Sequence, residues 1–394
     1  MSEMFDFDQV IDRKNTNCAK WDGMKRKNVN PDVISMWVAD MDFKAPQRVL
    51  DVLKERIDHG VFGYSFVGDD YLDAIVSWMQ RRHQFDIDKQ WIVPTPGVVT
   101  ALKLAVNTLT QKGDGIIIHK PVYYPFDRSI LANERHVVEN PLVFKDGQYE
   151  CDFEAFEKAI VEQNVKLFIL CNPHNPIGKV WKKEELYQLG MICKKHGVKV
   201  VADEIHQDFV YEDNEHIPFY NVDPSFKEFS IICTAPSKSF NLAGLQTSNI
   251  IIANKEIREA FKATMNRVGV DEPAILGLLA CKTAYNECEL WFDEMLEYVY
   301  DNFIYLDEFL KANMPEIKLV HPQGLYLAWV DFRALNMSAK ELEDFMQNKA
   351  GLWLDEGYIF GTGGEGFERF NLATPRATLE KACQRLLKAY QELK

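Results

Sequence analysis

The sequence has no apolar run that approaches the roughly 18 residues needed to cross a membrane. Its N-terminal stretch, MSEMFDFDQVIDRK, is acidic and lacks the basic start and apolar core of a signal peptide. We therefore expect a cytoplasmic protein with no membrane partner.

Basic residues are fewer than acidic ones. The sequence has 45 Lys and Arg and 59 Asp and Glu, which gives a formal net charge of -14. An acidic surface repels nucleic acid unless a compact basic patch is present, and the densest basic stretches, 25–27 and 194–195, are short. The composition therefore predicts no nucleic-acid partner.

The eight cysteines include no Cys-x-x-Cys pair, and no Cys/His cluster has the spacing of zinc ligands. We expect reduced thiols and no metal site. Internal repeats and long Gly/Ser linkers are missing as well, so the 394 residues are expected to form an ordinary globular protein.

Between about residues 90 and 255 the sequence alternates short β-branched runs with helical stretches. The runs are continuously apolar, which is typical of parallel strands covered by helices on both faces. The predicted strands are 91–95, 115–119, 166–171, 198–202, 229–234 and 249–253. We predict an α/β fold whose mostly parallel sheet belongs to a large domain over residues 46–284.

After about residue 285 the pattern changes to a long helical segment at 289–312, a strand-like GLYLAWVDF at 324–332, and a helix at 338–349. This pattern predicts a smaller α+β domain. We expect it to combine residues 285–394 with residues 1–45, which contain the apolar run ISMWVADM.

Residues that could bind a ligand follow most of these strands. They lie at the edge where ligands bind in open parallel sheets. After the first strand a glycine turn opens a helix, where the backbone NH groups of Gly97, Val98 and Val99 could bind a phosphate. After the second strand, Tyr123 or Tyr124 could cover a flat cofactor with its ring.

The later strands add polar groups. Asn172 and Asn175 follow the third strand, and Asp203 with His206 follows the fourth. Lys238 follows the fifth, where partial burial would lower its pKa and favour the amine that forms imines. A lysine, a carboxylate, an amide, a ring and an anion site together are what pyridoxal phosphate (PLP) requires.

Five segments carry a family resemblance over nearly the whole chain. They are WVADMDF (37–43), CNPHNPIGKVW (171–181), ADEIHQDF (202–209), APSKSFNLAGLQ (235–246) and FGTGGEGFERFNLATPR (360–376). The sequence resembles fold type I PLP enzymes and, more narrowly, the MalY/PatB family of carbon–sulfur β-lyases. The resemblance implies a PLP-dependent cysteine-S-conjugate (cystathionine) β-lyase that releases a thiol, pyruvate and ammonia from an amino-acid substrate.

The resemblance also implies roles for individual residues. Lys238 would form the Schiff base and transfer protons, and Asp203 would pair with the pyridinium nitrogen. The further cofactor contacts it implies are Gly97, Val98, Val99, Tyr123, Asn175, His206 and Ser237. The implied substrate contacts are Arg369, which would grip the α-carboxylate, Asn175 and Ala39.

Tyr64 matches a tyrosine that reaches the cofactor phosphate of the neighbouring subunit, so the resemblance implies a homodimer with shared active sites. The sequence departs from many aminotransferases at Gln246, where they carry a phosphate-binding arginine. Phosphate contacts beyond the glycine turn, Ser237 and Tyr64 therefore stay open.

Two other functions stay open: a PLP-dependent aminotransferase, which would use the same lysine, aspartate and arginine, and a PLP-binding regulatory protein. Single residues also have simpler interpretations, with Asp203 as a helix N-cap and Arg369 as a structural ion pair. Residues 361–366 spell G-x-G-x-x-G without the strand and helix of a dinucleotide site, so we predict a turn there.

Overall fold

The computed structural model of the protein describes residues 5–27 and 29–393, with the backbone alone for residues 25–27. The helices are α1 (Ala19–Lys27), α2 (Gln47–His59), α3 (Asp69–His83), α4 (Val98–Leu109), α5 (Pro125–Leu131), α6 (Phe153–Glu162), α7 (Lys183–His196), α8 (Phe219–Val222), α9 (Pro236–Ser239), α10 (Lys255–Val268), α11 (Ile275–Glu287), α12 (Glu289–Asn313), α13 (Ala339–Asp344) and α14 (Arg376–Gln391).

The strands are β1 (Ile34–Ser35), β2 (Ile92–Thr95), β3 (Gly115–Lys120), β4 (His136–Pro141), β5 (Val143–Lys145), β6 (Gln148–Glu150), β7 (Val165–Cys171), β8 (Lys199–Asp203), β9 (Ser230–Thr234), β10 (Ser248–Ile251), β11 (Lys318–Leu319), β12 (Leu327–Asp331), β13 (Leu352–Trp353), β14 (Asp355–Glu356) and β15 (Phe367–Asn371). Short 3₁₀ helices lie at Lys89–Trp91, Pro224–Glu228, Ala243–Leu245, Arg333–Leu335 and Gly357–Phe360, and a π-helical turn at Phe345–Lys349 continues α13.

Among the described residues the central sheet has seven strands, in the order β2-β10-β9-β8-β7-β3-β4. The strands from β9 to β4 are parallel to one another, whereas β10 runs antiparallel to both β9 and β2. All six predicted strands are present in this sheet, so the predicted fold class is confirmed. The edge strand β4 was not predicted, because its residues alternate between buried and exposed instead of forming an apolar run.

Alternate residues of the central strands face two different hydrophobic cores, as the twofold repeat of a strand requires. Ile116 and Ile118 of β3 belong to the core beneath α4 and α10. Ile117, between them, belongs to the larger core on the other face, together with Leu186 of α7. Cover on both faces explains why these strands are continuously apolar.

A second, antiparallel sheet has the order β11-β12-β15-β14. Strand β1 pairs in parallel with β13, which places Ile34 and Ser35 beside the C-terminal region. The domain limits themselves stay a prediction, and the limit at 284/285 falls within α11. The eight cysteines are free thiols. No helix in the described part of the chain is long and apolar enough to cross a bilayer.

Gly190, in α7, provides a test of this packing. An added Cβ would lie 2.1 Å from Cζ of Phe226, so Gly190→Ala should lower the free energy of unfolding by about 1–3 kcal/mol through overpacking. The matched control is Gly23→Ala in α1, whose Cβ would meet its nearest neighbours at 3.8 Å. Helix propensity should make that variant neutral or more stable. Thermal unfolding compares the two, and equal midpoints would contradict the predicted contact.

Candidate active site

A cavity opens at the carboxyl ends of β2, β7, β8 and β9, the edge predicted to bind a ligand. It is lined by Pro96, Gly97, Val98, Val99, Thr100, Tyr123, Cys171, Asn175, Asp203, Ile205, His206, Ser237, Lys238, Ala243, Gln246 and Thr247. Every cofactor contact predicted within one chain is in this set. The lining residues that were not predicted are mostly apolar or small, and nothing in their local sequence marks them.

Lys238 lies on α9, in the turn that follows β9, and its side chain is partly buried. Its Nζ donates a hydrogen bond to the carbonyl oxygen of Ala39 at 2.7 Å. Burial, aided by the positive charge of Arg369 and opposed by Asp40 and Asp203, lowers the pKa of Lys238 from 10.5 to about 8. A substantial fraction of the amine is therefore neutral near physiological pH.

Asp203, the last residue of β8, is 3% exposed. Its Oδ1 accepts a hydrogen bond from the backbone NH of Ile205 at 3.2 Å, so the carboxylate also caps a local turn. Burial raises the pKa of Asp203 from 3.8 to about 7, against the opposing effects of that NH and of Lys238. A carboxylate kept in so costly a position is suited to a cationic partner.

Arg369 comes to the site from the second sheet. This side chain is 2% exposed, and its Nη1 donates to Oδ1 of Asn175 at 2.9 Å. Nη2 donates to the carbonyl oxygen of Trp37 at 2.9 Å and pairs with the carboxylate of Asp355, its cross-strand neighbour on β14. The remaining nitrogen, Nε, has no hydrogen-bond partner among the described residues.

The glycine turn before α4 has the geometry of an anion site. Gly97 has φ +89°, a conformation that other residues rarely adopt, and no side chain caps the helix after it. The NH groups at the start of α4 therefore face the cavity that Val98 and Val99 line. Gln246 reaches the same turn, since a Cβ on Gly97 would lie 3.3 Å from its Oε1.

His206 and Tyr123 line the cavity without a charge of their own. Burial, with the positive charges of Lys238 and Arg369, holds the pKa of His206 well below 6.5, and its Nδ1 has no partner among the described residues. Tyr123 is also uncharged, because burial raises the pKa of its hydroxyl. Asn172, in contrast, donates to the carbonyl of Ile217 and does not line the cavity.

Residues 37–43, the WVADMDF motif, form a segment whose backbone carbonyls are bound by side chains from β15 and from the residues that follow β9. Asn371, which is fully buried on β15, donates to the carbonyls of Val38 and Asp40, both at 2.6 Å. Asn241, which follows α9, donates to the carbonyls of Met41 and Phe43. This arrangement places Ala39 against Lys238, although Ala39 is not among the cavity-lining residues.

Comparison with known proteins agrees with this geometry. Residues 31–386 match the family model "Aminotransferase class I and II". Cystathionine beta-lyase PatB of Bacillus subtilis is 42% identical over 96% of this chain and 98% of its own, and protein MalY of Escherichia coli is 35% identical over 99% and 100%. The crystal structure of cystalysin from Treponema denticola, which contains PLP, matches with a TM-score of 0.96 and 43% identity over 100% of both chains.

The chain belongs to the MalY/PatB family of class I and II aminotransferases. The family predicted from the five sequence motifs is therefore confirmed, and with it the PLP enzyme fold type I. Roles for single residues stay predictions.

Tyr64, which the family resemblance assigns to a neighbouring subunit's site, is 97% exposed and does not line the cavity of its own chain. It lies between two other exposed aromatic residues, Phe62 and Phe66. An exposed tyrosine outside its own cavity is what a role in a partner subunit requires.

Sequence reasoning missed two residues that define the site. Asp355 pairs with Arg369, and Tyr326 donates its hydroxyl hydrogen to the carbonyl of Ala39 at 2.7 Å, beside Lys238. An acidic residue that directly follows the buried run LWL was a usable signal for Asp355. Tyr326 gave no signal, because it lies within a run of core residues.

The buried carboxylate predicts a pH dependence of stability in the protein stripped of PLP. Since the pKa of Asp203 is about 7 when folded and about 4 when unfolded, the carboxylate destabilises the fold progressively as pH rises through this range. Asp203→Asn should therefore match the parent near pH 4 and gain stability relative to it up to about pH 7. The gain should be about 1.4 kcal/mol for each pH unit that is crossed between the two pKa values.

Thermal unfolding midpoints at several pH values measure this difference. The control Asp301→Asn removes an exposed carboxylate from α12 and accounts for the loss of one negative charge. A difference between Asp203→Asn and the parent that stays constant from about pH 4 to 7 would contradict the buried carboxylate.

Proposed function

We propose that this protein is a PLP-dependent carbon–sulfur β-lyase of the EC 4.4.1.13 class, which converts cystathionine or cysteine S-conjugates into a thiol, pyruvate and ammonia. One observation carries the proposal: Lys238, whose pKa is lowered, and the buried Asp203 line the same cavity. The relatives named cystathionine beta-lyase support the reaction type.

The described residues fit PLP. The cofactor needs an amine for its aldehyde, a carboxylate for its ring nitrogen, and an anion site for its phosphate. Lys238 supplies the amine, Asp203 a carboxylate whose burial cost a cation would offset, and the turn at Gly97 the anion site. Ser237 lines the cavity between these groups and would add a hydroxyl donor to the phosphate.

The flat ring of the cofactor would lie among Tyr123, Asn175 and His206. We assign Tyr123 to stacking, and Asn175 to the ring oxygen through its amide nitrogen, because its amide oxygen already accepts from Arg369. His206 stays uncharged, so it does not compete with Asp203 for the ring nitrogen.

Arg369 would hold the substrate α-carboxylate. Nη2 of Arg369 already binds the carboxylate of Asp355 and the carbonyl of Trp37, Nη1 binds Asn175, and Nε has no partner among the described residues. A two-pronged salt bridge to the α-carboxylate would use Nη2 together with Nε or Nη1, because only these pairs have N–H bonds that point the same way. The substrate would therefore displace one of the present partners of Nη2. Asn175, which accepts from Arg369, and Ala39, whose carbonyl accepts from Lys238, would complete the substrate contacts.

PLP, when bound, supplies an electron sink next to the α-carbon of an amino acid. Lys238 removes the α-proton with its neutral amine, which its lowered pKa keeps available. The electron pair of the broken C–H bond then expels the thiolate from the β-carbon, and Lys238 carries the proton that the thiolate can accept. Addition of one water to the remaining three-carbon fragment gives pyruvate and ammonia.

The proposed assembly is a cytoplasmic homodimer in which Tyr64 of each subunit completes the phosphate site of the other. The exposed position of Tyr64 beside Phe62 and Phe66 supports it, since such a group of apolar side chains is usually covered by a partner. Two domains, 46–284 and 1–45 with 285–394, complete the proposal.

Product analysis tests the reaction type. With PLP-loaded protein and L-cystathionine, we expect pyruvate and free thiol in equal amounts with no keto acid present. Lys238→Ala should lower the rate by about 10²- to 10⁴-fold, since it removes the general base. The control Lys103→Ala alters an exposed lysine on α4 and should keep the parent rate.

The same assay separates the alternatives. Product that forms only after a keto acid is added would identify an aminotransferase. PLP absorbance without turnover under either condition would favour a regulatory protein.

A second prediction concerns Arg369. Arg369→Lys keeps the positive charge but loses the planar pair of donors, so kcat/KM for L-cystathionine should fall by at least about tenfold, mainly through KM. Steady-state kinetics measure this change. The control is Arg385→Lys on α14, which makes the same substitution at a residue that does not line the cavity. An unchanged KM would remove Arg369 from the substrate site.

A further inference from the structure

Asp208 is a buried carboxylate that the proposed reaction does not use. It lies five residues after Asp203, and its side chain is 1% exposed. Its Oδ1 accepts a hydrogen bond from Nε1 of Trp78 at 3.1 Å and is 2.7 Å from Nε2 of His83. Burial alone would raise the pKa of Asp208, but the hydrogen bonds from His83 and Ser239 hold it below 3.8. The group is therefore a carboxylate with a full set of partners.

The other oxygen of Asp208 connects to the lysine of the site. Oδ2 accepts a hydrogen bond from the hydroxyl of Ser239, which is fully buried. Ser239 is the last residue of the short helix α9 and follows Lys238 directly. A helix of one turn has few internal hydrogen bonds, so an external contact contributes strongly to its position.

A second buried pair lies beside the first. The ring of His83 is 5.5 Å from the ring of His216, whose Nε2 is 3.2 Å from Oε2 of Glu204. Glu204 follows Asp203 directly and also accepts from the backbone NH of Phe219. Two buried acid–histidine pairs, Glu204 with His216 and Asp208 with His83, thus lie next to each other through an edge-to-face contact of the two rings.

We propose that Asp208 is a positioning residue, which holds α9 through Ser239 and thereby keeps the amine of Lys238 buried at the carbonyl of Ala39. Asp208 does not line the cavity, and its described hydrogen bonds go to Trp78, His83 and Ser239. The charged groups that act on Lys238 are Arg369, Asp40 and Asp203, and none of them contacts Ser239. A change at Ser239 therefore reaches Lys238 through the position of α9.

The test measures the reactivity of Lys238 in protein stripped of PLP, so it does not depend on the proposed lyase reaction. Reductive methylation at a series of pH values, followed by peptide mass spectrometry, gives the pH at which Lys238 is half reactive. The parent should give about 8. In Ser239→Ala a less constrained α9 exposes the amine, and the midpoint should rise by about one pH unit toward that of an ordinary lysine.

Ser230→Ala is the matched control. Ser230 is also fully buried, lies at the opposite end of β9, and donates its hydroxyl hydrogen to the carbonyl of Phe226 at 2.6 Å. Both variants lose one buried hydroxyl, and Ser239→Ala should lose more stability because its partner is a charged carboxylate and that of Ser230 is a neutral carbonyl. Only Ser239→Ala should move the midpoint of Lys238, and in the PLP-loaded enzyme it should lower kcat by at least about threefold with KM little changed.

A double-mutant cycle tests the route through Ser239. Asp208→Asn should raise the midpoint of Lys238 in the parent, and it should add little when Ser239 is already alanine. Equal midpoints for Ser239→Ala, Ser230→Ala and the parent would overturn the proposal, whether or not Asp208→Asn folds. Additive changes of the midpoint in the double variant would overturn the role of Ser239 as the link.

Discussion

The structure depends on one constraint, the fixation of the segment 37–43 by side chains that bind its backbone carbonyls. Asn371 and Arg369 bind it from the second sheet, and Asn241 and Lys238 bind it from the loop after β9. A segment without regular structure must satisfy its buried carbonyls in this way. As a result, Arg369 and Lys238 meet at the same short stretch of chain.

Electrostatics explain how this crowded site can hold several ionisable groups. Lys238 and Asp203 both have pKa values shifted by burial toward the neutral form, and His206 is uncharged for the same reason. Arg369 forms a buried ion pair with Asp355. Such opposed shifts in one cavity are typical of sites for proton transfer. The site thus combines a partly neutral amine with the guanidinium of Arg369.

Much of the site could be predicted because each residue follows a strand. Gly97, Asn175, Asp203 and Lys238 all lie at or just beyond the carboxyl ends of apolar runs, and parallel strands bring those ends to one edge. Their local motifs then indicated the family. The edge strand β4 was missed because its residues do not form an apolar run. The pairing of Asp355 with Arg369 and the contact of Tyr326 with Ala39 could not be predicted, since these contacts join segments that are apart in sequence.

The amino-acid sequence by itself determined the fold class and the family, because the pattern of apolar residues and the sequence motifs are local properties of the chain. The tertiary structure alone decided which groups form ion pairs and hydrogen bonds with one another. Burial depth set the pKa values of Asp203 and Lys238, and the meeting of β15 with β14 paired Arg369 with Asp355. These properties depend on distance and desolvation, which no single segment of sequence contains.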